Sequence, residues 1–171
     1  MKRFVISSIW VAGLALLCQA GSFGQASDPP KAEVNMYCPV VGMPGIKGCR
    51  CATGGYCSLR PHESCSLKYN GGKLQFCCDG CLKAFKESPA KFAVTANHQL
   101  AATKQAEQRS CPLCGGKVDP SQKVVIAGVE VRFCSEACTA TVGKANAADR
   151  ANLVFGEKGF TRGFAMKDAP K

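Results

Sequence analysis

Cysteine is the residue best placed to do chemistry in this sequence, supplying thirteen of its 171 residues. The most telling spacing is Cys111-x2-Cys114, then nineteen residues, then Cys134-x3-Cys138. Two close pairs so arranged suit a tetrahedral metal site, with each thiolate about 2.3 Å from Zn²⁺. Soft sulfur suits Cu⁺ as well, and spacing does not choose between the two ions. In an exported protein the same thiols could instead close as disulfides, so that reading stands beside the metal one.

A second set lies upstream: Cys38, then Cys77, Cys78 and Cys81. Val41 stands where the downstream set has Cys114, and Cys78 is expected to supply the missing fourth sulfur. Between them, Cys49, Cys51, Cys57 and Cys65 occupy a Gly-rich insertion, about residues 42–68. They could form a further metal site or two small disulfide loops, with His62 as a substitute ligand. Only two His and three Tyr are present, which gives a hydrolase built on a histidine base little support. Cys111-Pro112-Leu113-Cys114 could be a redox dithiol, but Gly115-Gly116 follows where a thioredoxin-like site opens a helix. A c-type haem needs His at position 115. No catalytic residue is assigned and the chain is read as nonenzymatic.

The elements that must position these thiols recur. Cys38-Pro39-Val40-Val41-Gly42 is echoed by Cys111-Pro112-Leu113-Cys114-Gly115, and the stretch from Tyr69 to Cys81 by that from Ile126 to Cys138. Each copy has a Cys-Pro turn, a hairpin turning at glycine, a Phe-Cys-x-x-x-Cys step and a helix. Val124-Val125-Ile126, Ala127-Gly128 and Val129-Glu130-Val131-Arg132-Phe133 alternate as two strands around a tight turn. Ser135 is the expected N-cap of the following helix, with Cys138 in its first turn and Cys134 ending the strand. Asp79 opens the upstream helix, whose buried face is Leu82 and Phe85. Ser88-Pro89 predicts another helix running roughly to Glu107, with an apolar stripe of Phe92, Ala96, Leu100 and Ala101. Phe155, Phe160 and Phe164, separated by glycines, predict a terminal hairpin filling the core.

At the start, Lys2, Arg3 and the apolar run 4–17 predict a signal peptide, cleaved after Ala26. Twelve cysteines and a net charge of about +8 then remain, given that Lys2 and Arg3 are the only charged residues removed. The basic residues form no run, so nucleic acid is not an expected partner, and no later apolar stretch would hold the mature chain in a membrane. The expected location is periplasmic or secreted. The expected fold class is α+β, in two units, 27–109 and 110–171, each small enough to need a metal or disulfide staple.

These residues resemble the TRASH and YHS group of small metal-binding domains. The likeness rests on Cys38-Pro39, Tyr69-x-Gly71, Phe76-Cys77-Cys78-x-x-Cys81-x-x-x-Phe85 and Pro89-x-Lys91-Phe92. Cys111-Pro112-x-Cys114 and Phe133-Cys134-x-x-x-Cys138 add to it. The resemblance implies treble-clef-like units, tandem copies in an exported bacterial protein, and heavy-metal binding in sensing, trafficking or resistance. The alternatives are a disulfide-stapled envelope interaction module holding no metal and, behind it, a thiol-redox protein.

Overall fold

The computed structural model of the chain describes residues 36–43, 46–47 and 61–167, all within the unit Ala32–Lys171. The signal-like residues and Cys49, Cys51 and Cys57 lie outside the described residues. Gly42–Met43 (β1) pairs with Ile46–Lys47 (β2), and His62–Tyr69 (β3) turns into Gly72–Phe76 (β4), followed by Asp79–Glu87 (α1). A 3₁₀ turn, Pro89–Phe92, leads into Ala93–Ala102 (α2) and then Ala106–Gln108 (β5). The second long hairpin is Asp119–Ile126 (β6) with Val129–Phe133 (β7). Glu136–Lys144 (α3), Ala147–Phe155 (α4), Glu157–Gly163 (α5) and Phe164–Met166 (β8) complete the chain. The fold is α+β, with strands paired antiparallel as β1-β2, β3-β4, β5-β8 and β6-β7. Among the described residues no helix is long and apolar enough to cross a membrane.

The two long hairpins match piece by piece. Each joins an eight-residue strand to a five-residue strand and leads to a nine-residue helix. Both turn through two left-handed residues, Asn70 and Gly71 at φ 48° and 82°, Ala127 and Gly128 at φ 48° and 87°, as a type I′ turn requires. Alanine pays a penalty of about 1–2 kcal/mol there; the His98 Nε2 contact with the Ala127 carbonyl, 3.0 Å, holds it in place. Strand β3 begins at His62, so residues 62–68 belong to the hairpin and not to an insertion. Ser66, Leu67 and Lys68 face Gln75, Leu74 and Lys73. Their strand propensity is modest, but Leu74 and Phe76 on the partner strand are wholly buried, and burial decides strand pairing more than propensity does.

One core runs beneath both hairpins, combining Phe76 and Phe85 with Val131, Phe133, Val142, Val154 and Phe155. Helix α2 crosses it. The expected stripe of Phe92, Ala96, Leu100 and Ala101 is buried, and so are the polar Thr95, Asn97, His98 and Gln99. Polar groups taken out of water need partners, and these reach across the molecule. Thr95 Oγ1 donates to the Pro39 carbonyl at 2.5 Å. Gln99 Nε2 donates to the carbonyls of Tyr37 (2.9 Å) and Gln75 (2.8 Å), while Gln99 Oε1 accepts from Gln75 N at 2.8 Å. Asn97 Nδ2 donates to the Phe155 carbonyl at 2.9 Å.

Two expected elements differ. Helix α2 stops at Ala102, not near Glu107, because Lys104 turns left-handed at φ 59°. Gln105 N then donates back to the Leu100 carbonyl at 3.0 Å, a Schellman-type closure. Glu107 lies instead on β5, opposite Ala165 of β8. The terminal aromatic residues form no hairpin: Phe155 lies on α4, Phe160 on α5, and Phe164 opens β8 opposite Gln108 of β5. Asn146 caps α4 by accepting from Asp149 N at 2.9 Å, and the glycines are contact points: a Cβ on Gly159 would collide with the Leu153 carbonyl. Phe155, Phe160 and Phe164 do fill the core.

Burial pushes the His98 imidazole down to about 4, with the Ala127 carbonyl pulling the other way. Its folded value lies below the unfolded 6.5, so the neutral ring contributes stability that is complete above pH 6.5 and lost as pH falls towards 4. That amounts to about 3 kcal/mol. Denaturant unfolding of wild type and His98→Gln at pH 7 and pH 4 should show wild type losing about that much more than the variant; equal losses would contradict this.

Candidate metal centre

The downstream sulfurs meet where a turn, a strand end and a helix start converge. Gly115 N donates to the Cys111 carbonyl at 2.7 Å and Cys111 N to the Gly116 carbonyl at 2.9 Å, with Gly115 at φ 81°. This tight knuckle is anchored by α5: Ser110 Oγ donates to the Arg162 carbonyl at 2.6 Å and the Arg162 guanidinium to the Leu113 carbonyl. Gly163 packs so closely on Pro112 that a Cβ there would stand 2.9 Å from the ring. Cys134 follows β7, and Ser135 caps α3 as expected, accepting from Cys138 N at 3.4 Å.

Cys111, Cys114, Cys134 and Cys138 thereby bring all four sulfurs within 4.8 Å of one another. Cys114 and Cys134 are 3.1 Å apart and Cys134 and Cys138 3.7 Å apart. Thiolates 2.3 Å from a tetrahedral Zn²⁺ lie about 3.8 Å from each other, whereas a disulfide needs about 2.05 Å. The set therefore fits a metal ion with small adjustments. Burial pushes the Cys111 thiol up, but the backbone N–H groups of Cys114, Cys134 and Leu113 outweigh it and bring it down to about 7. Burial raises Cys138, and Cys114 is raised by the sulfur of Cys134 beside it. An amide-cradled sulfur thus lies at the base of the set and an exposed Cys114 at its rim, and a metal ion bound there would displace the thiol protons.

The upstream centre has the same plan with three sulfurs. Gly42 N donates to the Cys38 carbonyl at 3.1 Å, with Gly42 at φ 95°, so this knuckle turns as the other does. Here α2 anchors it, through Thr95 to Pro39 and Gln99 to Tyr37. Cys38, Cys77 and Cys81 come within 4.8 Å of one another and are all buried; Cys77 and Cys81 are 3.5 Å apart. Burial, then the neighbouring Cys38, pushes the Cys81 thiol well up.

Cys78, expected as the fourth ligand, stands outside that set. It is the N-cap residue of α1, in extended backbone at φ −166° and ψ 165°, and its side chain meets that of Cys81, whose thiol it helps to raise. Cys65 is buried on β3 and donates to Asp79 Oδ1 at 3.2 Å, a bond that, more than its burial, raises its thiol. His62 lies on the exposed side of β3, its Nδ1 2.7 Å from Ser64 Oγ and its Nε2 3.2 Å from the Cys77 carbonyl. The anchoring roles of Thr95, Gln99, Ser110 and Arg162 had no mark in the sequence: each is a common polar residue whose partner is a distant carbonyl.

No family model, no curated protein and no solved structure matches the chain. The class of the site therefore rests on its sulfurs. Because Ser135 fixes the start of α3 on which Cys138 rides, Ser135→Ala should cost about 1 kcal/mol. Thermal unfolding of the variant should show the lowered midpoint; an unchanged midpoint would mean that the cap does not hold this junction.

Proposed function

We propose that this chain is an exported, nonenzymatic metal-binding protein made of two treble-clef-like units of the TRASH and YHS kind, 27–109 and 110–171. It holds a heavy metal, Zn²⁺ or Cu⁺, for sensing, trafficking or resistance. The observation that carries this reading is the meeting of Cys111, Cys114, Cys134 and Cys138 within 4.8 Å, from a knuckle and a helix start set far apart in sequence. These four would hold the ion and staple knuckle, hairpin and helix together; Cys38, Cys77 and Cys81 would hold a second. Four thiolates complete a tetrahedral shell and leave no position for a substrate, as in structural zinc sites.

Residues 1–26 support export to the periplasm or beyond, and the scattered basic excess suits solubility near anionic envelope surfaces. The disulfide-stapled module is less well supported, because the cysteines among the described residues are free, with the sulfurs of Cys114 and Cys134 3.1 Å apart. A redox dithiol would use Cys111 and Cys114, yet the chain leaves that pair through a glycine knuckle and not along a helix.

Structural zinc contributes about 10–16 kcal/mol in small zinc-binding peptides. Adding a strong chelator to the full mature protein under anaerobic conditions should therefore lower its unfolding midpoint sharply, and Cys134→Ser should reproduce the loss without chelator. A midpoint indifferent to chelator and collapsing with a thiol reductant would favour the disulfide module instead.

A further inference from the structure

We infer that Cys114 and Cys134 form a site of oxidative modification, where a peroxide joins the two sulfurs as a disulfide and releases the downstream metal ion. This rests on the metal-binding reading above and adds how that centre lets go of its ion. Of the nine free cysteines among the described residues, Cys114 alone is exposed. Its sulfur stands 3.1 Å from that of Cys134, closer than the 3.7 Å between Cys134 and Cys138. Thiolates sharing a tetrahedral Zn²⁺ sit about 3.8 Å apart and bonded sulfurs about 2.05 Å, so this pair needs about 1 Å of approach. Gly116 lies against both residues: a Cβ there would stand 3.3 Å from Cys134 Cβ and 3.4 Å from the Cys114 sulfur. With only hydrogen at that Cα, the knuckle has room to close on the strand end.

The other pairings are worse placed. Cys111, which shares the knuckle with Cys114, is buried at the base of the set. Upstream, Val41 occupies the place of Cys114 and packs against the core, so that knuckle carries no sulfur at its rim. Oxidation follows exposure and thiolate character, and a metal-bound Cys114 has both. Its sulfur attacks one oxygen of hydrogen peroxide, the O–O bond breaks, and the departing hydroxide takes a solvent proton to become water. Cys114 is then a sulfenic acid. The Cys134 thiolate attacks the Cys114 sulfur, the S–S bond forms, and the S–O bond breaks to release hydroxide, protonated to a second water. Two thiolates have lost two electrons and one peroxide has gained them. Only Cys111 and Cys138 remain to hold the ion, against the four ligands a structural zinc site uses. The new bond ties the same knuckle to the same strand end that the metal held, and a thiol reductant reverses it.

The test loads the full mature protein with Zn²⁺ anaerobically, adds a small excess of hydrogen peroxide, and follows zinc release with a chromogenic chelator. Peptide mapping after alkylation then locates the disulfide. Peroxide should free about one ion per chain and yield a Cys114–Cys134 linkage, and a thiol reductant with fresh Zn²⁺ should restore the loaded form. Cys114→His keeps a fourth ligand that forms no disulfide, and its zinc should leave about tenfold more slowly or less. Should that variant bind no zinc, the wild-type peptide map decides alone. Zinc retained by wild type under peroxide, or released with Cys111–Cys114 or Cys134–Cys138 linked instead, would overturn the proposed site while sparing the metal-binding reading. A chain that takes up no zinc before peroxide is added would overturn both.

Discussion

Helix α2 is buried on every side, and its polar residues are the constraint on which the arrangement depends. A helix so placed satisfies its own backbone but leaves the side chains of Thr95, Asn97, His98 and Gln99 in the core, where an unmet hydrogen bond costs about 1–3 kcal/mol. Their partners are backbone groups of the upstream knuckle, of strand β4, of the downstream hairpin turn and of α4. Gln99 alone joins Tyr37, next to Cys38, to Gln75, two residues before Cys77. The distance between the first knuckle and the strand end carrying its partner sulfur is therefore set by one amide side chain.

The downstream sulfurs obey the same requirement with different hardware. There α5 presses on the knuckle through Ser110, Arg162 and the close approach of Gly163 to Pro112, and Ser135 sets the helix start. Each knuckle thus has a clamp from a helix outside its own hairpin. The two clamps also meet, since α2 packs against α5.

Periodic and local features were legible in the sequence. Alternation around Ala127-Gly128 and the capping Ser135 describe contacts made within a few residues or along one element, and the spacing of Cys111, Cys114, Cys134 and Cys138 marks two local pairs that the hairpin between them brings together. What eluded reading depended on long-range burial. Nothing local marks Lys104 as the left-handed residue that ends α2, and the aromatic-glycine alternation after Val154 reads as strands until Asn146 caps α4. His62 to Lys68 look like insertion sequence because their pairing is driven by Leu74 and Phe76 across the ladder. Cys78 looked equivalent to Cys77, and its side chain does meet Cys81, but it stands outside the set of three that includes Cys38.

The central claim is that these cysteines meet as metal-bound thiolates. Native mass spectrometry of the protein isolated anaerobically from its own compartment tests it most directly, because a bound ion adds mass whereas each disulfide removes only two hydrogens. The account predicts a folded chain carrying metal, with Cys111, Cys114, Cys134 and Cys138 alkylated only after chelation. A metal-free folded chain, lighter by the hydrogens of Cys111–Cys114 and Cys134–Cys138 disulfides, would contradict it.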